Sequence, residues 1–178
     1  MSKKSKKVYA KLIANPGSGT VSDRGQLLEQ VTRCLQEQGV KVDVAVAKPH
    51  EAALPIARRA AKEGYKIIIA MGGDDTVEAI IRGIAGSKAR LGIIAAGTAN
   101  DLAKSLGIPE DPLEACALIA GGHFRKLDLG QALISKAIAH DKAGMTGGTP
   151  EVHQAAFRQN DYRTSRLQRP FVYLRFNI

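Results

Sequence analysis

Residues Lys66 to Ile81, reading KIIIAMGGDDTVEAII, constrain this chain more than any other stretch. Three isoleucines and an alanine make a short apolar run of the kind a strand needs when both of its faces are buried. The run stops at Gly72-Gly73, after which two aspartates and a threonine precede apolar residues at helical spacing, Val77, Ile80, Ile81 and Ile84. The expected local structure is a buried strand, a sharp glycine turn and a helix starting at Thr76. Such a turn leaves backbone N–H groups uncovered at the positive end of a helix dipole, a place that favours an anion such as phosphate. Taken alone, the stretch also fits a tight strand-to-helix turn with no ligand.

The rest of the chain repeats the pattern. Val8 to Ala14 reads as a first strand running into Asn15-Pro16-Gly17-Ser18-Gly19, and Leu27, Leu28, Val31, Cys34 and Leu35 then mark an amphipathic helix that Gly39 can end. Val42, Val44 and Val46 alternate with more polar residues, as in a strand near a sheet edge. Ala52 to Lys62 is helical in composition, with Pro55 acceptable only in the first turn. Leu91 to Ala95 is another short buried strand, discharging into Gly97-Thr98-Ala99-Asn100-Asp101. A short helix to Gly107 follows, and Asp111-Pro112 opens one more that Gly121-Gly122 can stop. This order predicts an α/β fold, a three-layer αβα arrangement with a mainly parallel doubly wound sheet. In such a sheet the loops at the strand C-terminal ends share one edge. Asn15–Gly19, Gly72–Thr76 and Gly97–Asp101 should therefore converge there, which favours a phosphate-bearing ligand.

Composition narrows the partners. The formal net charge of +9 suits anionic partners in general, but only 4% of the residues are aromatic and no basic-aromatic array is visible, so no specific nucleic-acid surface is expected. No apolar run approaches the ~20 residues of a membrane span. A cytoplasmic protein is expected, with the Lys-rich arm of residues 1–7 either solvated or docking on the anionic inner surface of a membrane. Cys34 and Cys116 lack a partner nearby in sequence and read as reduced core thiols. After Gly130 the composition shifts. A short helix near Ile134, a flexible run from Gly144 to Pro150, a basic patch (Arg158, Arg163, Arg166, Arg169) and a strand-like Phe171 to Phe176 make a divergent tail, 131–178, rather than a complete second domain. A truncated or frame-shifted end would account for it.

Neither a Walker A loop nor a GxGxxG fingerprint is present. Taken together, Asn15–Gly19, Gly72–Thr76, Gly97–Ala103 and Asp128–Gly130 resemble, in order, the motifs of the diacylglycerol kinase catalytic-domain family, which includes bacterial lipid kinases and sphingosine kinases. The resemblance covers residues 8–130. It implies an ATP-binding domain in which Asn15, Gly17, Ser18, Gly19, Gly72, Gly73, Asp74, Asp75, Thr76, Gly97, Thr98 and Asn100 lie about the nucleotide. Asp74, Asp101 and Asp128 match family aspartates that organise Mg2+ through waters, a role suited to hard oxygen donors. The implied partners are ATP and a lipid alcohol such as diacylglycerol. Capping of a loop or helix is the other reading of Asp101.

Two departures fall on the phosphate side: Asp75 stands where the family has glycine, and Glu78-Ala79 where it has an Asn-Glu pair. The residues after Asp128 are too few to supply the family's lipid-binding β-sandwich, which also provides the general base, so the resemblance assigns no catalytic residue here. The expected function is the ATP-binding half of a lipid kinase, weak or inactive alone. A non-catalytic nucleotide- or partner-binding remnant is the alternative, and an NAD kinase a weaker one.

Overall fold

The isoleucine run becomes strand β3 (Ile67–Gly72), all six residues of which are buried, because it has a hydrogen-bonded neighbour on each side and helices over each face. The structure, a computed structural model, describes residues 8–15, 24–48, 52–122, 124–134, 151–156 and 172–177. In chain order the elements are β1 (Val8–Ala14), α1 (Arg24–Glu37), β2 (Val40–Val46), α2 (Ala53–Lys62), β3, α3 (Asp74–Ile84), β4 (Arg90–Ala95), α4 (Asp101–Leu106), α5 (Pro112–Gly121), β5 (Phe124–Ile134), β6 (Glu151–Ala156) and β7 (Val172–Asn177). The sheet order is β2-β1-β3-β4-β7-β5-β6. Neighbours from β2 through β7 run parallel, whereas β5 is antiparallel to both β7 and β6.

Sequence chemistry explains most boundaries. Pro55 sits in the first turn of α2, where its missing N–H has no partner to lose. Asp111 caps α5, its Oδ1 accepting from the N–H groups of Leu113 (2.7 Å) and Glu114 (3.0 Å), with Pro112 as first helical residue. At the sheet edge, with a neighbour on one side only, β2 leaves Val44 and Val46 exposed although they belong to its alternating apolar set. One expectation fails for the described residues: Ile134 is not helical but ends β5, paired opposite Glu151. β5 also runs through residue 130, so the sheet continues past the composition shift. The arm of residues 1–7, the Gly144–Pro150 run and the basic patch from Arg158 to Arg169 lie outside the described residues.

The core is aliphatic. Leu12, Ile13, Ile68, Ile69, Leu91, Ile93 and Ile94 from the strands meet Leu35, Ile80, Ile84 and Ile119 from the helices, all at 2% exposure or less. Each such side chain contributes on the order of 1.5–3 kcal/mol relative to exposure. Helix α1 packs with α5 and α2 with α3. The second pair approaches so closely that a Cβ on Gly83 would lie 2.6 Å from the Leu54 carbonyl oxygen. Cys34 of α1 and Cys116 of α5 become neighbours in the first pair, as free thiols. Burial first, then the Cys34 sulfur, pushes the Cys116 thiol up to about 12. No helix among the described residues is long and apolar enough to cross a membrane.

The order β2-β1-β3-β4 fixes where a ligand can enter. The chain winds from β1 outward to β2, then returns to β3 on the other side of β1 and continues to β4. The helices that follow β1 and β3 belong to different pairs, α1 with α5 and α3 with α2, and a strand order that reverses between β1 and β3 leaves a crevice at their C-terminal ends.

Candidate functional site

At that crevice the ends of β1, β3 and β4 are tied together by short polar contacts. The Asn15 N–H donates to the Met71 carbonyl at 3.0 Å, and Asn15 Nδ2 donates to Thr76 Oγ1 at 3.1 Å. Thr76 is fully buried, the one buried polar side chain among the described residues. Gly72 makes room for it: a Cβ there would stand 2.7 Å from Thr76 Oγ1. Glycine at this position is a packing requirement imposed by the threonine four residues later.

Helix α3 starts at Asp74, with Gly73 as its N-cap, two residues earlier than the spacing of apolar residues suggests. Apolar periodicity reports only the buried face, and Asp74 and Asp75 lie on the first turn ahead of it. The Gly73 carbonyl accepts from the N–H groups of Thr76 (3.0 Å) and Val77 (3.1 Å), and Gly73 itself, as N-cap, has no side chain to offer the helix. Its first N–H groups thus face the crevice end with the dipole behind them. Asp75 is exposed and right-handed helical, so this position makes no demand for positive φ. That removes the conformational part of the expectation that glycine is needed there and leaves only charge and bulk.

The β4–α4 loop closes the other side. Gly97 sits directly against Gly73: a Cβ on Gly97 would lie 2.4 Å from the Gly73 Cα. The Ala96 N–H donates to the Gly72 carbonyl at 3.0 Å. Asn100 adopts the left-handed conformation (φ 53°, ψ 41°), and its amide returns to Gly97, Oδ1 accepting from the Gly97 N–H and Nδ2 donating to the Gly97 carbonyl, both at 3.0 Å. Asp74 Oδ1 accepts from the Leu102 N–H at 3.3 Å, capping α4 from outside that helix. Asp101 is the exposed first residue of α4, and the capping assigned to it as an alternative falls to Asp74. Sequence reading misses this pairing because nothing in either motif says that a carboxylate on one helix will cap another.

The residues expected around a ligand therefore divide. Asn15, Gly72, Gly73, Asp74, Asp75, Thr76, Gly97 and Asn100 are brought to one edge, with Thr98 exposed on the loop between Gly97 and Asn100. Gly17, Ser18 and Gly19 lie outside the described residues. Asp128 is on β5, where its backbone pairs with Tyr173, two positions before Arg175, which pairs with Arg90 at the start of β4. That register sets the Asp128 backbone roughly 20 Å along the strand direction from the glycine edge, at about 3.3 Å per residue. Asp74 and Asp101 are hard oxygen donors on adjoining first turns, joined by the Asp74–Leu102 hydrogen bond, and are of the chemical type that hydrated Mg2+ takes. No group of three metal-binding side chains is found among the described residues.

Comparison with known proteins bears on this edge. The diacylglycerol kinase catalytic domain family matches residues 9–132. Diacylglycerol kinases of Staphylococcus aureus strains bovine RF122 / ET3-1 and MRSA252 are each 36% identical over 125 residues, 68% of this chain and 39% of theirs. Among solved structures, a diacylglycerol kinase from Bacillus anthracis str. Sterne superposes with a TM-score of 0.63 at 26% identity, over 73% of this chain and 44% of that one. The chain spans about two fifths of the length of the curated relatives it matches.

Proposed function

Because the chain belongs to the diacylglycerol kinase catalytic domain family, we propose that the edge formed by Asn15, Gly72–Thr76 and Gly97–Asp101 binds the phosphates of ATP. The observation that carries this reading is the contact of Gly73 with Gly97, where side chains are lacking on both loops and backbone can approach a ligand closely. The N-terminal N–H groups of α3 supply the positive end of a dipole to the phosphates. The Asn15–Thr76 bond ties the end of β1 to the first turn of α3 behind them. Asp74 and Asp101 would hold Mg2+ through water, which when bound neutralises charge on the phosphoryl group. Asp128 belongs to this reading only by the motif it stands in.

The reaction supported by the family is transfer of the ATP γ-phosphoryl to the hydroxyl oxygen of a lipid alcohol such as diacylglycerol, with ADP leaving and the hydroxyl proton passing to a base. In this reading residues 8–130 supply the nucleotide side of the reaction. The proposal is that the chain alone binds MgATP with weak or no turnover, as a cytoplasmic protein that can meet the inner membrane surface. Calorimetric titration of the 178-residue chain with MgATP, paired with a phosphoryl-transfer assay on diacylglycerol in mixed micelles, tests it. Absence of MgATP binding refutes the reading. Rapid lipid phosphorylation would show that the chain holds its own base.

A non-catalytic, partner-binding chain is the second reading, and the exposed Asp75 on the first turn of α3 is what favours it. A carboxylate there opposes phosphate.

A further inference from the structure

We propose that Asn100 is a positioning residue, acting on a ligand only through the loop that it holds, and not a group that touches the nucleotide. The inference deepens the nucleotide reading above and rests on it. Asn100 is the N-cap of α4, a place where asparagine ordinarily turns its side chain toward the N–H groups of its own helix. Here it makes no such bond, because both ends of the amide are taken by Gly97, Oδ1 by its N–H and Nδ2 by its carbonyl. Capping of α4 passes to Asp74, whose carboxylate reaches across from α3 to the Leu102 N–H.

The exchange of roles has a mechanical result. Asn100 is the only non-glycine residue with positive φ among the described residues, and asparagine tolerates that conformation better than most side chains. The left-handed turn points its amide back along the loop, and the paired bonds fix the two peptide groups that flank the Gly97 Cα. Gly97 is in turn pressed on Gly73, with room for no Cβ, and a Cβ there would also fall 2.9 Å from Asn100 Oδ1. Held in this way, the β4–α4 loop stands against the first turn of α3 before any ligand arrives. Preorganisation of this kind lowers the ordering cost of binding.

Three variants of the full chain separate the side-chain clamp from the backbone turn. Asn100→Gly keeps the left-handed turn without strain and removes the amide. Asn100→Asp keeps an acceptor for the Gly97 N–H and removes the donor, while Asn100→Ala removes the amide and strains the turn. The readouts are hydrogen exchange at the Gly97 amide, followed by NMR in the ligand-free chain, MgATP affinity by calorimetry, and the thermal midpoint. For Asn100→Gly we expect Gly97 exchange about fivefold faster or more, as loss of one hydrogen bond implies, MgATP affinity about tenfold weaker, and a midpoint close to that of the unsubstituted chain. Asn100→Asp should recover part of the protection and part of the affinity, and Asn100→Ala should lose both with a lowered midpoint.

Affinity lost with Gly97 exchange unchanged would mean that Asn100 meets the nucleotide directly, and the proposal would be overturned. Faster exchange with unchanged affinity would overturn it too, since the loop would then not matter to the ligand. A chain that binds no MgATP at all defeats the nucleotide reading. The exchange measurement then decides alone whether Asn100 positions the loop, and unchanged exchange in Asn100→Gly sinks that as well.

Discussion

Asn15 Nδ2 donates to Thr76 Oγ1 at 3.1 Å, joining the end of β1 to the first turn of α3 across 61 residues of sequence. The contact spans the switch point of the sheet and is made to a threonine with no exposure to solvent. Thr76→Val keeps the shape and removes the acceptor. Loss of this hydrogen bond in a buried setting should cost about 1–3 kcal/mol, read as a lower urea midpoint with unchanged slope. Asn15→Ala should cost less, because its side chain is only half buried. Equal stability of Thr76→Val and the parent would show that the bond is not made in solution.

Two glycines with equally little room should respond differently to alanine. At Gly83 the new Cβ would lie 2.6 Å from the Leu54 carbonyl oxygen, where α2 crosses α3, and at Gly97 it would lie 2.4 Å from the Gly73 Cα. Neither obstacle is a flexible side chain, so backbone must shift, at a cost of about 1–3 kcal/mol in each case. Gly83→Ala should lower the unfolding midpoint and leave MgATP affinity near that of the parent. Gly97→Ala should weaken MgATP binding by more than about tenfold, because the displaced backbone belongs to the proposed phosphate edge. A reversal of that pattern, with Gly97→Ala binding normally, would place the ligand elsewhere.

The two groups with raised pKa predict the behaviour at alkaline pH. Burial, then the neighbouring Cys34 sulfur, pushes the Cys116 thiol up to about 12, and the hydrogen bond to Asp43 raises the Tyr65 phenol above 10.0. In the unfolded chain each proton leaves earlier, near 9 and 10, so the unfolded state binds fewer protons as pH rises through the window. Stability contributed by these groups is complete below pH ~9 and is lost as pH climbs toward 12. Urea midpoints should be level from pH 8 to about 9 and fall from there to pH 11. In the native chain at pH 8, a thiol-reactive disulfide should modify Cys34 and spare Cys116 until denaturant is added. Fast modification of both would show that α1 and α5 open readily.

Strand β3 and the glycine loops are legible because their chemistry is local: three isoleucines need two covered faces, and Gly72-Gly73 cannot continue a packed strand. The edge position of β2 is legible from its alternation. What periodicity misses lies where a residue answers to a partner far along the chain. Asp74 caps α4 through Leu102, 28 residues away, and Cys34 meets Cys116 only because α1 and α5 share a face. The start of α3 is hidden for a related reason. Asp74 and Asp75 face away from the core, so burial leaves no apolar mark on the first turn. At Ile134 an apolar cluster fits either period, and pairing with β6 decides for a strand.

Asp75 is where fold and proposed function pull apart. It is the second residue of α3, exposed, and a carboxylate there favours the helix dipole by about 0.3–1 kcal/mol. The same charge stands on the helix turn next to the place proposed for phosphate. At roughly 6 Å, with an effective dielectric of about 40 for an exposed pair, the repulsion is about 1.4 kcal/mol, or tenfold in affinity. Glycine is the poorer probe, because it adds a helix-propensity cost of about 1 kcal/mol in the first turn. Asparagine keeps side-chain size and helical conformation while removing the charge, so the substitution to measure is Asp75→Asn. Its MgATP affinity should rise about tenfold at low salt and by less near physiological ionic strength, where screening weakens the repulsion. Its unfolding midpoint should fall slightly as the dipole contact is lost. Unchanged affinity at both salt concentrations would show that the Asp75 carboxylate points away from the ligand. A fall in affinity would make it a participant in holding the metal.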